Sequence, residues 1–262
     1  MKSRVLTAVG LIPFVLGAFF RASPWPLLGF AVVVCAICTW EIANLLDSLA
    51  TWLGILLLFG FIKTFQDQGH VPEGQLAVIG YFLGGLYFAF RSAQRKRKNS
   101  LFAALATPWV LIPLLCLISL HGVSSTASGW NFKTPLLLAV VPLWGGDTAA
   151  IFAGKAFGKH PLAPSISPKK TVEGAVANLL ACIAVAVPLS LWIGYSVTIG
   201  LGCGVVAGIL GQAGDLFESY IKRLAGVKDS GRTLPGHGGV LDRIDSILFT
   251  APFVWLLLSF VK

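Results

Sequence analysis

An all-α, polytopic transmembrane bundle of about nine spans is the fold class this sequence predicts, and three observations predict it. Hydrophobic residues make up 56% of the 262 positions and charged residues only 12%, with a mean hydropathy of +0.81. An ordinary soluble domain carries about 25% charged residues, so there is too little charge here to coat a water-facing surface. Apolar runs long enough to cross a hydrocarbon core of about 30 Å recur along the whole chain. Backbone amides in lipid must be satisfied within the chain, which favours one helical domain over 1–262. A disordered chain, a disulfide scaffold and a soluble dinucleotide-binding enzyme are excluded together.

The runs fall at 5–20, 27–46, 49–65, 75–90, 101–120, 135–153, 174–193, 196–218 and 244–261. Lys2 and Arg4 precede the first, and no convincing small-residue cleavage site follows it, so it reads as a span and not a cleaved leader. The second contains Cys35 and Cys38, but no second pair or neighbouring histidine completes a metal site. With Cys116, Cys182 and Cys203 these thiols sit in apolar runs and read as small core hydrophobes. Trp40-Glu41, in the same run, fits a packing pair or a cavity residue equally well. His70, His121 and His160 lie in loops and read as solvated. The 14 prolines and 29 glycines point to kinks and close helix contacts.

Basic residues orient the spans, because cytoplasmic loops are enriched in Lys and Arg. With the N-terminus inside, alternation puts Arg91 to Lys98, Lys155 to Lys170 and Lys222 to Arg243 on the cytoplasmic side. The opposite loops, at 66–73, 121–133 and 192–195, carry little positive charge. The net charge of +9 therefore reads as orientation and attraction to anionic lipid, not nucleic-acid binding. Arg95-Lys96-Arg97-Lys98 has no aromatic interleaving and reads as an orientation signal alone.

Acidic residues are scarcer and more informative. Asp147 lies in Trp144-Gly145-Gly146-Asp147-Thr148 and Asp215 in Gly214-Asp215-Leu216-Phe217-Glu218-Ser219. A carboxylate at membrane depth costs several kcal/mol by order of magnitude unless it is paired or lines a hydrated cavity. Two further stretches depart from the apolar background: Ser165 to Gly174, and Asp215 to Asp245. In the second, Asp215, Ser219 and Lys222 share one helical face, and Asp242 and Asp245 share another. Between them, Lys228 to Gly239 is rich in Gly and Pro, which lets backbone amides approach a phosphate closely. Carboxylates interleaved with Lys and Arg suit a polyphosphate with its Mg2+.

No GxxxxGK[ST], GxSxG or Asp-Gly dipeptide occurs, which excludes a P-loop NTPase, a nucleophile elbow and the signature of the CDP-alcohol phosphotransferases. Phosphoryl and nucleotidyl transfer needs mainly positioning and charge neutralisation, and a phosphate nucleophile is already ionised near neutral pH. No catalytic triad is required.

Ser219-Tyr220-Ile221-Lys222-Arg223, Lys228-Asp229-Ser230-Gly231, Leu234-Pro235-Gly236-His237-Gly238-Gly239 and Asp242-Arg243-Ile244-Asp245-Ser246 together resemble the signature of the phosphatidate cytidylyltransferase (CDP-diacylglycerol synthase) family. Trp144 to Thr148, the Ser-Pro-Lys-Lys-Thr-x-Glu-Gly core of Leu162 to Gly174, and Lys2-Ser3-Arg4-Val5 resemble it too. Residues 1–135 then hold N-terminal helices of lower motif content, and 136–262 the catalytic helices and cytoplasmic loops. Ala177-Asn178 departs from the glycines often found there, a difference that bears on packing and not on chemistry.

The resemblance implies a nucleotidyltransferase of phospholipid biosynthesis, in which CTP and phosphatidate give CDP-diacylglycerol and pyrophosphate. It implies Mg2+, an active site facing the cytoplasm, and residence in the bacterial inner (cell) membrane among its lipids. Asp215 and Asp242 match the positions of metal ligands, with Asp245 and Asp147 as further candidates. Lys222, Arg223 and Lys228 would neutralise phosphate oxygens beside Ser219. Lys169, Lys170 and Arg243 would hold substrate, and His237 would structure the loop or contact phosphate. Two other readings compete. A CTP-dependent enzyme on a different lipid, such as a polyprenol kinase, would transfer the γ-phosphate. A transporter would show an internal repeat with polar residues at the midplane; the sequence has no convincing repeat, and its polar residues gather at one face. Acyl-chain preference, CTP against dCTP, a second cation, and a homodimer or other oligomeric state are not fixed by the sequence.

Overall fold

The computed structural model describes residues 13–21, 23, 25–45, 83, 84, 87, 108–121, 129–234 and 238–261. In chain order its elements are α1 (Trp25–Leu45), α2 (Pro108–Leu120), α3 (Leu137–Phe157), β1 (Pro161–Ala163), β2 (Ser167–Thr171), α4 (Val172–Ile193) and α5 (Val197–Val206). A π-helical turn (Ala207–Gly211), α6 (Gln212–Leu224) and α7 (Leu241–Ser259) complete them. They fall into two compact units, neither continuous in sequence: one from Met1–Phe132 and Ile221–Ile244, the other from Lys133–Tyr220 and Asp245–Lys262.

Among the described residues, four helical stretches are long and apolar enough to cross a membrane: Trp25–Ile42, Leu137–Phe157, Val172–Ile193 and Val197–Leu224. At about 1.5 Å per residue these stretches of 18 to 28 residues rise about 27 to 42 Å, comparable to the hydrocarbon core, and the chain is a membrane protein. The runs at 49–65 and most of 75–90 lie outside the described residues, as does Arg91 to Lys98. The run at 244–261 forms α7, whose first turns carry Asp242, Arg243 and Asp245 and so give it a more polar start than the other four.

In the second unit, α4 begins and ends on strong local signals. Thr171 Oγ1 accepts from Gly174 N at 3.2 Å, an N-cap that satisfies one of the helix's free amides. Gly194, with φ of +111°, donates to the carbonyls of Ser190 and Leu191, and Tyr195 N also donates to Ser190 O. Ser196 then caps α5 by accepting from Ile199 N.

The chain after Ser196 returns along α4 on a stripe of glycines four residues apart. A Cβ at Gly200, Gly204 or Gly208 would lie 2.7, 2.6 or 2.7 Å from the Cα of Val187, Ile183 or Leu179 respectively. Backbone cannot retreat as a side chain can, so these positions admit no side chain and the two helices pack at backbone distance. The next residue of the stripe is Gln212, whose Nε2 donates to Ala175 O at 3.2 Å and to Gly208 O at 2.5 Å. The π-helical turn is thus tied to α4 where the helix resumes as α6. Leu143, Cys182 and Ala207 form the buried core under this layer, with Ile247 against it.

The structure is mostly helical, as expected, and adds one short antiparallel hairpin, β1–β2, which pairs Pro161 with Thr171 and Ala163 with Ser167. One expectation needs correction: His121, in the first unit, is fully buried and not solvated. Burial pushes its imidazole below the ordinary histidine value, with the backbone of Phe19 and Arg21 pulling the other way. Nearby, Asn131 N donates to Phe20 O at 2.7 Å and Arg21 lies over the Trp130 ring.

Candidate active site

The two basic residues of the Ser-Pro-Lys-Lys-Thr core sit on β2, and the hairpin brings both to a cavity of about 530 Å³ in the second unit. Its walls also carry Asp147 from α3, Asn178 from α4, Gln212 and Asp215 from α6, and Ser246 from α7. That volume lies within the usual range for small-molecule sites, about 300–1,000 Å³. Lys170 Nζ donates to Asp215 Oδ2 at 2.5 Å, and Ser219 Oγ to Asp215 Oδ1 at 3.4 Å. Asn178 Nδ2 donates to Asp147 Oδ1 at 3.3 Å. Gly146, one residue before Asp147, packs so tightly that a Cβ would lie 2.5 Å from Cys182 Sγ and 2.9 Å from Asn178 Nδ2.

Glu173, in the first turn of α4, holds the entry to the hairpin. Its carboxylate accepts from the amides of Lys159 and His160 and meets His160 Nδ1 at 2.7 Å. The backbone just before β1 is therefore fixed to the same helix end that Thr171 caps, and β2 inherits its position from both.

In the first unit a second polar cluster assembles around Asp242. Lys222 Nζ donates to Asp242 Oδ1 at 2.6 Å, and both side chains are about nine-tenths buried. Ser230 N lies 3.2 and 3.1 Å from the two oxygens, and Gly239 N donates to Oδ2 at 2.8 Å. Lys222 lies in the last turn of α6, where a cation suits the helix dipole. The helix closes on Gly226 at φ of +75°, with Val227 N donating to Lys222 O.

Of the residues singled out in the sequence, Asp147, Lys169, Lys170 and Asp215 thus line one cavity, with Ser219 on Asp215. Lys222 and Asp242 form the other cluster. Arg223 is exposed and donates to Val227 O at 3.2 Å; Lys228 and Arg243 are also exposed. Asp245 Oδ1 accepts from Ser246 N. His237 lies outside the described residues.

Sequence reasoning gives no site role to Asn178, Gln212 or Ser246 and leaves Glu41 open between packing and a cavity. Asn178 reads from sequence as a packing difference, yet it holds a carboxylate of the cavity. An amide side chain in an otherwise apolar span is the available signal. Glu41 carries the same signal, and its role stays open on sequence alone.

Among the described residues no group of three or more His, Cys, Asp or Glu side chains converges as a metal cage. The cavity instead offers two carboxylates, Asp147 and Asp215, beside lysines and amides. Mg2+ commonly uses one or two carboxylates and completes its shell with water and substrate phosphates, so this donor set fits a Mg2+ that arrives with a polyphosphate.

Helices long and apolar enough to cross a membrane, together with a cavity lined by lysines and carboxylates, define a membrane protein with a charged binding site. The chain belongs to the cytidylyltransferase family, whose model matches residues 2–261. It is 34% identical to a phosphatidate cytidylyltransferase of Haemophilus influenzae, over 97% of this chain and 96% of the relative. It is 30% identical to a phosphatidate cytidylyltransferase of Staphylococcus aureus, over 98% of this chain and 99% of the relative. A phosphatidate cytidylyltransferase of Staphylococcus saprophyticus is 44% identical over 47% of this chain and 48% of the relative.

Proposed function

We propose that this protein transfers CMP from CTP to phosphatidate, giving CDP-diacylglycerol and pyrophosphate for phospholipid synthesis. Membership of the family and full-length similarity to phosphatidate cytidylyltransferases support the activity. The observation that carries the site is the cavity in which Lys169 and Lys170 stand beside Asp215 and Asp147.

In this reading the phosphate of phosphatidate attacks the α-phosphorus of CTP and pyrophosphate leaves. The nucleophile is an anion, so the protein's task is orientation and charge compensation. Asp215 and Asp147 would hold Mg2+, which when bound would offset the charge of the triphosphate. Lys170 gives up its contact with Asp215 to phosphate oxygens as substrate enters, and Lys169 serves the same anions. Asn178 keeps Asp147 oriented, and Ser219 does so for Asp215. Lys222 supplies positive charge to phosphate from its place on Asp242. Asp242 and Asp245 are the remaining proposed metal positions; Asp242 would have to exchange Lys222 or a backbone amide to take one. Arg223 at the end of α6, Lys228 and His237 in the stretch after it, and Arg243 at the start of α7 are proposed to meet phosphate. The site faces the cytoplasm, where CTP is found, and the membrane is the bacterial inner membrane.

The test uses purified protein in detergent with phosphatidate, Mg2+ and CTP labelled at either the α- or the γ-phosphate. Label from the α-position entering the lipid supports cytidylyl transfer. Label from the γ-position entering the lipid would make the protein a lipid kinase instead.

A further inference from the structure

Glu41 lies in the apolar helix α1, fully buried, almost two hundred residues from its partners in sequence. Its Oε1 accepts from Thr233 Oγ1 at 2.5 Å and Val240 N at 2.9 Å. Its Oε2 accepts from Ser230 Oγ at 3.1 Å and Leu241 N at 2.9 Å. Four donors on two oxygens fill the usual capacity of a carboxylate. Two glycines make the approach possible: a Cβ at Gly231 or Gly239 would lie 2.9 or 2.6 Å from the Glu41 carboxylate oxygens.

The same loop residues that meet Glu41 also meet Asp242. Ser230 gives its hydroxyl to Glu41 and its amide to Asp242, while Gly239, packed on Glu41, gives its amide to Asp242 Oδ2. Val240 N and Leu241 N, the other two donors, immediately precede Asp242 where α7 begins. Asp242 in turn holds Lys222 at 2.6 Å. Glu41 is thus the acceptor at the base of a relay: loop amides, Asp242, then the ammonium of Lys222.

We propose that Glu41 is a positioning residue of the transferase, fixing residues 230–234 and 238–241 so that Asp242 presents Lys222 to substrate phosphate. The inference rests on the cytidylyl-transfer reading for its kinetic consequence, though not for its structural one. A buried carboxyl in an apolar helix is costly unless its hydrogen bonds are satisfied, and here these four bonds all go to this one loop. Glutamine cannot replace it. Whichever way the carboxamide is placed, its NH2 faces either Val240 N or Leu241 N, and a backbone amide cannot reverse its role as a hydroxyl can.

The test is Glu41→Gln in the full-length protein in detergent, read by steady-state kinetics and amide hydrogen exchange. The expected result is a kcat reduced about tenfold or more per folded molecule with KM for CTP changed less than about threefold. Faster exchange should be confined to Ser230, Gly239, Val240 and Leu241, leaving α3 and α4 protected. Wild-type kcat, or faster exchange across the whole chain, would overturn the proposal. Should Glu41→Gln not fold, the double variant Ser230→Ala/Thr233→Val removes only the two hydroxyl donors. A several-fold loss of kcat there, with local exchange, supports the assignment; wild-type kcat there overturns it. If the wild-type protein transfers no CMP, the transfer reading fails, while the exchange pattern of Glu41→Gln still decides whether Glu41 holds the loop.

Discussion

Lys170 and Asp215, separated by 45 residues, meet at 2.5 Å across one cavity. The contact joins the hairpin to α6, and about a third or less of either side chain is exposed. A pair of this kind is a poor source of stability, because the desolvation of both groups offsets their attraction. Under the proposed function it is a resting state for a site that would receive an anion and a cation together, with Lys170 turning to phosphate and Asp215 to Mg2+.

That relationship separates two carboxylates that the sequence treats alike. Asp215→Asn should abolish turnover, by about a hundredfold or more in kcat/KM, while the protein stays folded, because Lys170 is free to turn to solvent in the cavity. Asp147→Asn should reduce turnover in the same direction. Asp242→Asn should differ, since it removes the carboxylate charge facing the buried Lys222 ammonium, a change that typically costs about 3–5 kcal/mol. The check is thermal unfolding in detergent beside the kinetics. Equal melting temperatures for Asp215→Asn and Asp242→Asn would show that the buried pair carries no special weight.

The cations of the signature divide in the same way. Lys222→Gln should lower kcat/KM by about a hundredfold, as expected for losing a desolvated cation beside a reacting phosphate. Arg223→Gln should do less, because its guanidinium is exposed and spends one bond on closing the end of α6 at Val227. Arg97→Gln belongs to a run of four cations with no carboxylate among them, where three remain to orient the chain. Its activity should match wild type at equal expression. Equal losses at 97, 222 and 223 would assign the signature cations to topology or general lipid attraction.

Much of this site is legible in the sequence because membrane proteins make polar residues expensive. Asp147, Asp215, Lys169 and Lys170 stand out against an apolar background on sequence alone, and the cavity collects all four. Asn178 and Glu41 are equally out of place, but their meaning depends on partners 31 and about two hundred residues away, which no local pattern encodes. The hairpin is hidden for a related reason. Its strands are three and five residues long, and Ser-Pro-Lys-Lys-Thr shows no alternation of apolar and polar positions. His121 reads as a solvated loop residue because it follows a helix end, while the burial of that turn is a tertiary fact.

The glycine stripe gives a test of the scaffold apart from chemistry. Gly204→Ala places a methyl 2.6 Å from the Cα of Ile183, where only movement of the whole helix can relieve the clash. Overpacking of this sort costs about 1–3 kcal/mol, more than the roughly 1 kcal/mol an alanine gains over glycine in a helix. The melting temperature should fall, and activity with it. Gly29→Ala, in α1, has nothing among the described residues within 4 Å of its new methyl and should be neutral or stabilising. A stable Gly204→Ala protein would mean that α4 and α5 do not meet at backbone distance.

The proposed orientation of the site can be tested at the hairpin and at the Tyr195 turn, which lie at the two ends of α4. α4 runs between them for 22 residues, about 33 Å at 1.5 Å per residue, so its two ends belong to opposite faces of the membrane. Cytoplasmic loops are enriched in Lys and Arg, so the basic residues between Lys155 and Lys170 support the proposed placement of the hairpin end on the cytoplasmic side. All five native cysteines are buried, so a cysteine introduced at an accessible site is the reactive one. Ser165→Cys, in the exposed turn of the hairpin, should react with an impermeant thiol reagent only after the cells are opened. Tyr195→Cys should react in intact spheroplasts. The reverse pattern would put the Lys169 and Lys170 cavity on the side of the membrane away from CTP and remove the protein's access to its proposed nucleotide.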